Sequence, residues 1–375
     1  MMDKTRSNTY FDIKDDISFL KQHLSLSTFA FNIIDNDIDS FTLDNKNKSL
    51  SGFLNRIFKN YYKDSKASIE FLKDKKIKEE EDIYSSLLVN NIVINNKKDI
   101  IKEEIDQYIK KCKEDVFNIY KNHSFSEVKK FRINKENINI LKSSLEKEYY
   151  YKLGDYLKAI FEDYASLPYF KRERIYFKDE VNKINEAIKN NKRLKIKFND
   201  EDNKTFYIIP YKLIEDNFKI YNYLVGYFIE YSNVSSIYNT TSDDSFVTKL
   251  KLCNKRLSTI SYISILSSSS FHINKKMKED IEYILSTKNI KYINEKEVTF
   301  TIKFSNLGLI KFKKEIINRP NKFIVDNKDL SIYHINCSLL QAKDYFINFI
   351  SLITVLSSND ESVKLKNFLN NYIIK

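Results

Sequence analysis

In this chain of 375 residues, the side chains best placed for chemistry lie in the run 128–134, VKKFRIN. Apolar and polar residues alternate there, the period of a strand with two unlike faces. Phe131 and Ile133 fall on one face, and Lys130, Arg132 and Asn134 on the other. The guanidinium of Arg132 can hold guanine through two hydrogen bonds, and the carboxamide of Asn134 can do the same with adenine. Lys130 suits a phosphate, which positions a protein on a duplex without reading it. The same three residues also fit an ordinary solvated strand face. A second alternating run, STFAFNII at 27–34, puts Phe29, Phe31 and Ile33 on one side and Thr28, Ala30 and Asn32 on the other. Asn32 is a further candidate for adenine. Thr28 and Ala30 are poor base readers.

Bond-making chemistry finds little support. His23, His123, His272 and His334 are scattered, and no HxxxH, HExxH or GxSxG occurs. Four glycines leave no Gly-rich phosphate loop. Cys112, Cys253 and Cys337 lie far apart with no CxxC pair, so neither zinc nor a disulfide framework is expected, and a reducing cytoplasm fits. Carboxylate pairs such as Asp15–Asp16 and Asp243–Asp244 sit in polar stretches. No apolar run reaches the roughly 18 residues a spanning helix needs. The expectation is a cytoplasmic protein without enzymatic activity, metal, cofactor or membrane span. The net charge of +12 favours anionic partners, nucleic acid first among them, although the Lys/Asn/Ile-heavy composition also reads as a bias of a whole proteome.

The elements that would position these residues show a repeat. SGFLNRIFKNY (51–61) and GDYLKAIFEDY (154–164) match when shifted by 103 positions. Phe53 meets Tyr156, Leu54 meets Leu157, Ile57 meets Ile160, Phe58 meets Phe161 and Tyr61 meets Tyr164. This spacing is one face of an amphipathic helix. Upstream of each helix lie an alternating run and a short helical stretch: 27–34 with Ile34–Leu43, and 128–134 with Ile138, Leu141 and Leu145. The bland alternative is two helices that happen to share an apolar pattern.

Strand, short helix, turn and second helix, twice over, resembles a tandem ribbon-helix-helix region. The resemblance implies that the two strands pair as an antiparallel ribbon placed in the DNA major groove. It also implies phosphate contacts at the N-termini of the second helices, around Ser51, Gly52 and Gly154. Between the copies, about 63–124, lies a charged helical insert. Its clearest helix runs Lys97–Tyr120, with a stripe of Ile101, Ile105, Tyr108, Cys112 and Phe117. Asn90–Asn96 reads as a turn or short strand.

After Phe177 the pattern changes. A helix signal at Asp179–Asn190 precedes strand-like runs RLKIKF (193–198), FYIIPYKLI (206–214), FKIYNYLVGYF (218–228) and TKLKLCN (248–254). Pro210, Leu213, Tyr223, Leu224 and Gly226 resemble the WYL-domain pattern, with Asn222 in place of its Trp. KLKLCNKR (249–256) sits where that family carries an Arg-bearing signature. The resemblance implies an Sm-like β-barrel and a nucleic-acid or nucleotide-like ligand held by Tyr211, Tyr223, Lys251, Lys255 and Arg256, with aromatics stacking bases and cations tracking phosphates. Tyr223 also fits a half-buried strand residue. The remaining runs give strand 298–304, helix Leu307–Ile317, two strands within 319–337, helix Gln341–Phe349, strand 351–358 and helix Glu361–Tyr372. Their order resembles the WYL C-terminal extension domain, often used in dimers, with Arg319 at a commonly basic position.

The sequence therefore predicts an α+β protein of three parts: a mostly helical tandem ribbon-helix-helix region at 1–178, a WYL domain at 179–285, and a small α/β extension domain at 286–375. The leading functional expectation is a homodimeric transcriptional regulator that binds DNA and senses a ligand through its WYL domain. Proteins resembling this order also occur as accessory factors of RNA-targeting CRISPR systems, which gives a second expectation: binding of single-stranded RNA and modulation of a CRISPR effector nuclease. A third is an oligomeric scaffold without nucleic acid.

Overall fold

The run 27–34, expected as a strand, is the start of a helix. Ser27 has extended backbone, and its hydroxyl accepts the Ala30 N–H at 3.1 Å, an N-cap that launches helix α1 (Thr28–Phe41). Ala30, Phe31, Ile34 and Phe41 then bury at helical spacing. Six residues of alternation fit either period; the cap decides. The strand of the first copy lies upstream, as β1 (Leu20–Leu24). Helix α2 (Leu50–Tyr61) follows α1, capped by the Ser49 hydroxyl. The second copy is β2 (Lys129–Ile133), α5 (Lys135–Ser143) and α6 (Leu153–Ser166). Between them stand α3 (Ile69–Val89) and α4 (Lys97–Lys121), the charged insert, joined through Ile69, Leu72 and Ile109 with Ile105, Tyr108 and Cys112 around them.

The structure is a computed structural model that describes residues 19–42, 48–89, 97–121, 128–143, 152–199, 204–216, 218–231, 247–270 and 273–373. The expected turn at Asn90–Asn96 lies outside these residues. The chain divides into units Met1–Val181 and Asn182–Lys375.

In the first unit, β1 and β2 pair antiparallel, so both strand–helix–helix copies meet in one two-stranded ribbon. All ten matched helix positions, from Phe53 to Tyr61 and from Tyr156 to Tyr164, are buried. Buried polar groups lock one copy to the other. Glu162 accepts the Ser27 N–H at 2.5 Å and the Ser27 hydroxyl at 2.7 Å. Asp163 accepts the hydroxyls of Tyr61 at 2.7 Å and Ser65 at 2.8 Å. Asp37 on α1 accepts the Tyr164 hydroxyl at 2.8 Å and is gripped by Arg172 of α7 (Tyr169–Tyr176). Helix α8 (Lys178–Lys189) leads out of the unit.

The second unit holds two antiparallel sheets. The first is β3 (Lys192–Phe198), β4 (Thr205–Glu215), β5 (Asn222–Tyr231), β6 (Val247–Arg256) and β7 (Ile260–Ser270), in the order β6-β5-β4-β3-β7. Among the described residues β6 pairs with β5 and β7 pairs with β3, but β6 and β7 form no ladder with each other. The sheet is therefore open, where a closed barrel was expected. Helix α9 (Lys275–Thr287), absent from the sequence reading, packs on one face through Ile281 against Tyr223 and Val225.

The second sheet contains β8 (Glu297–Phe304), β9 (Lys322–Val325), β10 (Ile332–Ser338) and β11 (Ile353–Val355) in the order β11-β8-β10-β9. With α10 (Asn306–Lys314) and α11 (Leu339–Phe346) it forms a β-α-β-β-α-β unit of the ferredoxin-like type, closed by α12 (Asp360–Ile373). Its core is aromatic: Phe300, Phe304, Phe312, Tyr345, Phe346 and Phe349 are all buried. These elements follow the order that the sequence predicted.

Candidate nucleic-acid interface

The ribbon brings four basic side chains to one face. Lys21 stands opposite Arg132, and His23 opposite Lys130, in the antiparallel register. All four are exposed, while Leu24, Phe131 and Ile133 on the other face are buried. Directly opposed residues share a face and lie close together, so the three cations Lys21, Lys130 and Arg132 form a compact patch with His23 beside them. Phe19, just before β1, lies 4.0 Å from the Arg132 guanidinium and 6.0 Å from the Lys21 ammonium. Its ring supports Arg132 as a planar, oriented group.

Helix α2 fixes the outer edge of β2. Ser51 Oγ accepts the Arg132 N–H at 3.1 Å, and Asn55 Nδ2 donates to the Arg132 carbonyl at 2.8 Å. Asn55 Oδ1 accepts the Asn134 N–H at 3.0 Å. The backbone of Arg132 is thus held while its side chain faces solvent. Asn134 lies beyond β2, and its Oδ1 accepts the Asn137 N–H at 2.9 Å, which makes it a cap for α5. Thr28 and Asn32, expected on a ribbon strand, are exposed residues of α1 instead, because Ser27 starts a helix there.

The helix N-termini differ from each other. Ser51 supports β2, and the Gly52 N–H donates to Ser49 Oγ at 3.0 Å. Both groups therefore already have protein partners. Gly154 serves packing: a Cβ there would sit 2.9 Å from the Gln22 amide nitrogen of β1. Asp155 occupies the first turn of α6 and opposes an incoming phosphate, whereas α2 has no acid in its first turn.

The five residues expected to hold a ligand on the first sheet of the second unit are divided between its faces. Tyr223 opposes Arg256 on the face under α9, where Tyr223 is 7% exposed and packs beside Ile281, Ile290 and Ile293. The Arg256 guanidinium lies 3.7 Å from the Tyr221 ring. Tyr211 packs on this cluster and donates to Glu282 of α9 at 2.7 Å; burial, with help from that carboxylate, pushes its hydroxyl up to about 12. Lys251 opposes Phe228 and Lys255 opposes Leu224, on the other face. Lys255 lies 4.9 Å from the Phe198 ring.

Comparison with solved structures gives a likeness that extends over nearly the whole chain. The fold is similar to that of a CRISPR Cas-related protein. That crystal structure covers 98% of this chain and 97% of its own, with a TM-score of 0.71 and 22% sequence identity. The proteasome accessory factor B/C of Arthrobacter aurescens overlaps 49% of this chain and 25% of its own, with a TM-score of 0.22 and 14% identity. No family model matches the chain, and no curated protein matches it in sequence.

Residues that the sequence reading passed over also gather. Lys195 opposes Tyr207 on β4 and Ser264 on β7, and Lys197 opposes Tyr262, which is 48% exposed. These residues share one face of β3, β4 and β7. Lys21 and His23 were likewise missed, although LKQHL alternates as VKKFRIN does. Arg319 lies on the loop between α10 and β9, where its Nη1 donates to the Phe312 carbonyl at 3.2 Å. Nearby, Glu297 accepts from Lys322 at 3.2 Å and lies 3.3 Å from the Lys288 ammonium. Burial opposes the charge of Glu297, but the hydrogen bonds from Lys322 and Lys288 outweigh it and hold the carboxyl below its ordinary range. Among the described residues, no group of three His, Cys, Asp or Glu could hold a metal, and no helix is long and apolar enough to cross a membrane.

Proposed function

We propose that this chain is a nucleic-acid-binding regulator that grips duplex DNA through its β1–β2 ribbon, without catalysis. The carrying observation is the exposed patch of Lys21, His23, Lys130 and Arg132 on a two-stranded antiparallel ribbon backed by two strand–helix–helix copies. A two-stranded ribbon fits the major groove, where Arg132 reads guanine and the lysines anchor phosphates. This is the ribbon-helix-helix mode of binding, here built within one chain. Its strands are unlike, so the ribbon presents Lys21 and His23 to one half of the site and Lys130 and Arg132 to the other. One copy then recognises a non-palindromic element. The sheets of the second unit take the WYL and extension-domain roles of ligand sensing and homodimer formation. Exposed Ile324 on the edge strand β9 supports the dimer.

Anisotropy measured on the chain's own promoter duplex tests this reading. Arg132→Ala is expected to weaken specific binding by about 1–3 kcal/mol and to relax preference at one base pair. Lys130→Ala weakens binding to all duplexes alike and lowers the salt slope by about 1. A wild-type chain with no salt-sensitive complex would end the proposal.

A second reading is a CRISPR accessory protein that binds single-stranded RNA and modulates an effector nuclease. The likeness in fold to a CRISPR Cas-related protein favours it, as does the face bearing Lys195, Lys197, Tyr207 and Tyr262. Tyrosines that stack bases beside lysines that follow the backbone make a platform for single strands. On this reading Tyr262→Ala costs about 1–3 kcal/mol of binding to a labelled single-stranded RNA. Unchanged affinity in Tyr262→Ala and Lys197→Ala would remove the platform from the account.

A further inference from the structure

A narrow polar cleft in the second unit has the composition of an anion site. Lys288, Arg319 and Lys322 line it, and Glu297 is the one carboxylate among its lining residues. Three cations against one anion leave a surplus of two positive charges. Lys322 donates to both carboxylate oxygens of Glu297, at 3.2 and 3.3 Å, and the Lys288 ammonium lies 3.3 Å from the same carboxylate. An ammonium carries three donors, so each lysine has capacity left for a second anion. Asn336 joins them, donating to Glu297 at 3.4 Å.

Arg319 supplies an independent observation. Its Nη1 is committed to carbonyls at the end of α10, Phe312 at 3.2 Å and Lys313 at 3.5 Å. Its Nε is buried and makes no hydrogen bond. A buried N–H without an acceptor is costly and rare in a finished structure, and a ligand oxygen is one way to satisfy it. The loop is set in place beforehand. Asn318 has φ of 59°, in the left-handed region, and its carbonyl accepts from Gln341 at 3.3 Å. Strained backbone held by its neighbours is a common property of ligand loops.

Carboxamides of Asn336 and Gln341, together with the ring of Phe218, complete the walls. Amides donate and accept, which suits hydroxyls or base edges, and an aromatic face suits a base. A ligand matching all of this carries a compact dianion next to a polar, partly aromatic body.

We propose that the cleft binds a phosphomonoester, carried either by a free nucleotide or by the 5′ end of a nucleic-acid strand. The proposal stands independently of the ribbon, and the Arg132→Ala chain should bind the phosphomonoester as the wild type does.

Calorimetry on the full chain tests it with 5′-AMP and adenosine, and with a tetranucleotide bearing either a 5′-phosphate or a 5′-hydroxyl. The expected result is that 5′-AMP binds and adenosine does not. Lys322→Ala should weaken 5′-AMP on the order of ten- to a hundred-fold, as removal of a charged hydrogen-bond donor does. The Lys322 side chain is 46% exposed, so this variant folds even where Arg319→Gln disturbs the loop. Lys276→Ala, exposed on α9, serves as the control and should leave affinity unchanged. Tighter binding of the phosphorylated tetranucleotide than of 5′-AMP assigns the strand end; the reverse assigns the free nucleotide. Equal binding of phosphorylated and unphosphorylated probes, binding of none, or wild-type affinity in Lys322→Ala would each overturn the proposal.

Discussion

Replacing Arg172 by alanine is expected to destabilise the first unit by about 3–5 kcal/mol, a large share of the stability of an ordinary domain. Its Nε donates to Asp37 Oδ2 at 2.7 Å and its Nη2 to Oδ1 at 3.1 Å, a bidentate pair with side chains only 8% and 1% exposed. Nη1 is not idle either, since it donates to the Leu167 carbonyl. Among the described residues, Asp37 would keep just the Tyr164 hydroxyl, at 2.8 Å, as a partner for its buried charge. Tyr164 cannot give up its proton to help: burial, followed by the neighbouring Asp37, holds its hydroxyl well above the ordinary tyrosine range. The cost comes from stranding one charge and not from the worth of the pair. Exchanging both partners for apolar residues, Asp37→Leu with Arg172→Met, should therefore recover most of the loss. Urea denaturation of the three chains gives the test. A single variant within 1 kcal/mol of wild type, as a rough margin for an exposed ion pair, would show that the pair is unimportant. The pair joins α1 of one copy to α7, and Tyr164 brings in α6 of the other. Its loss should also weaken duplex binding, because the two strands of the ribbon hang on those helices.

How far the sequence disclosed this arrangement depends on what each residue's period could reveal. Helices α2 and α6 were legible because five apolar positions repeat in each, and all ten are buried. The partner strand of the ribbon was not. α1 has 14 residues and α5 has nine, so no single shift aligns both the strands and the second helices of the two copies. The alternating run at 27–34 competed with LKQHL, and only the bond from Ala30 N–H to the Ser27 hydroxyl decides between them. Alternation placed Arg132 and Lys130 together on the face of β2 that is exposed, whereas Lys21 and His23 were hidden with β1. On the sheet of the second unit, alternation showed which residues share a face but not which face α9 would cover. Tyr223 is accordingly packed against Ile281, while Tyr262 is the exposed ring. The cleft at Arg319 gathers residues from 218 to 341, a convergence that no local spacing encodes.

Gly226→Ala is the second substitution with a large expected effect, and the reason is space. Gly226 on β5 faces Pro210 on β4 and Cys253 on β6. An added Cβ would lie 2.2 Å from the Ile209 carbonyl oxygen, and 3.1 Å from both the Ile209 carbonyl carbon and the Pro210 Cα. These are backbone atoms in the middle of a ladder, so relief requires moving β4 itself. Glycine within a strand commonly marks such an approach of a second backbone. The register shifts between Pro210 and Lys212, a bulge that sets Tyr211 on the α9 face, where it donates to Glu282. Forcing β4 away should cost about 3 kcal/mol, the upper end of what overpacking usually costs. Gly154→Ala is the internal comparison. Its close contact is the far end of the Gln22 side chain, which can swing aside, and alanine favours a helix by about 0.5–1 kcal/mol. Hydrogen exchange read by mass spectrometry would localise the difference. Amides of β4 and β5 should lose protection in Gly226→Ala, and those of β1 and α6 should keep theirs in Gly154→Ala. Equal protection of β4 and β5 in Gly226→Ala and wild type would mean that the strands have room to spare, and that Gly226 is not what holds the bulge and Tyr211 in place.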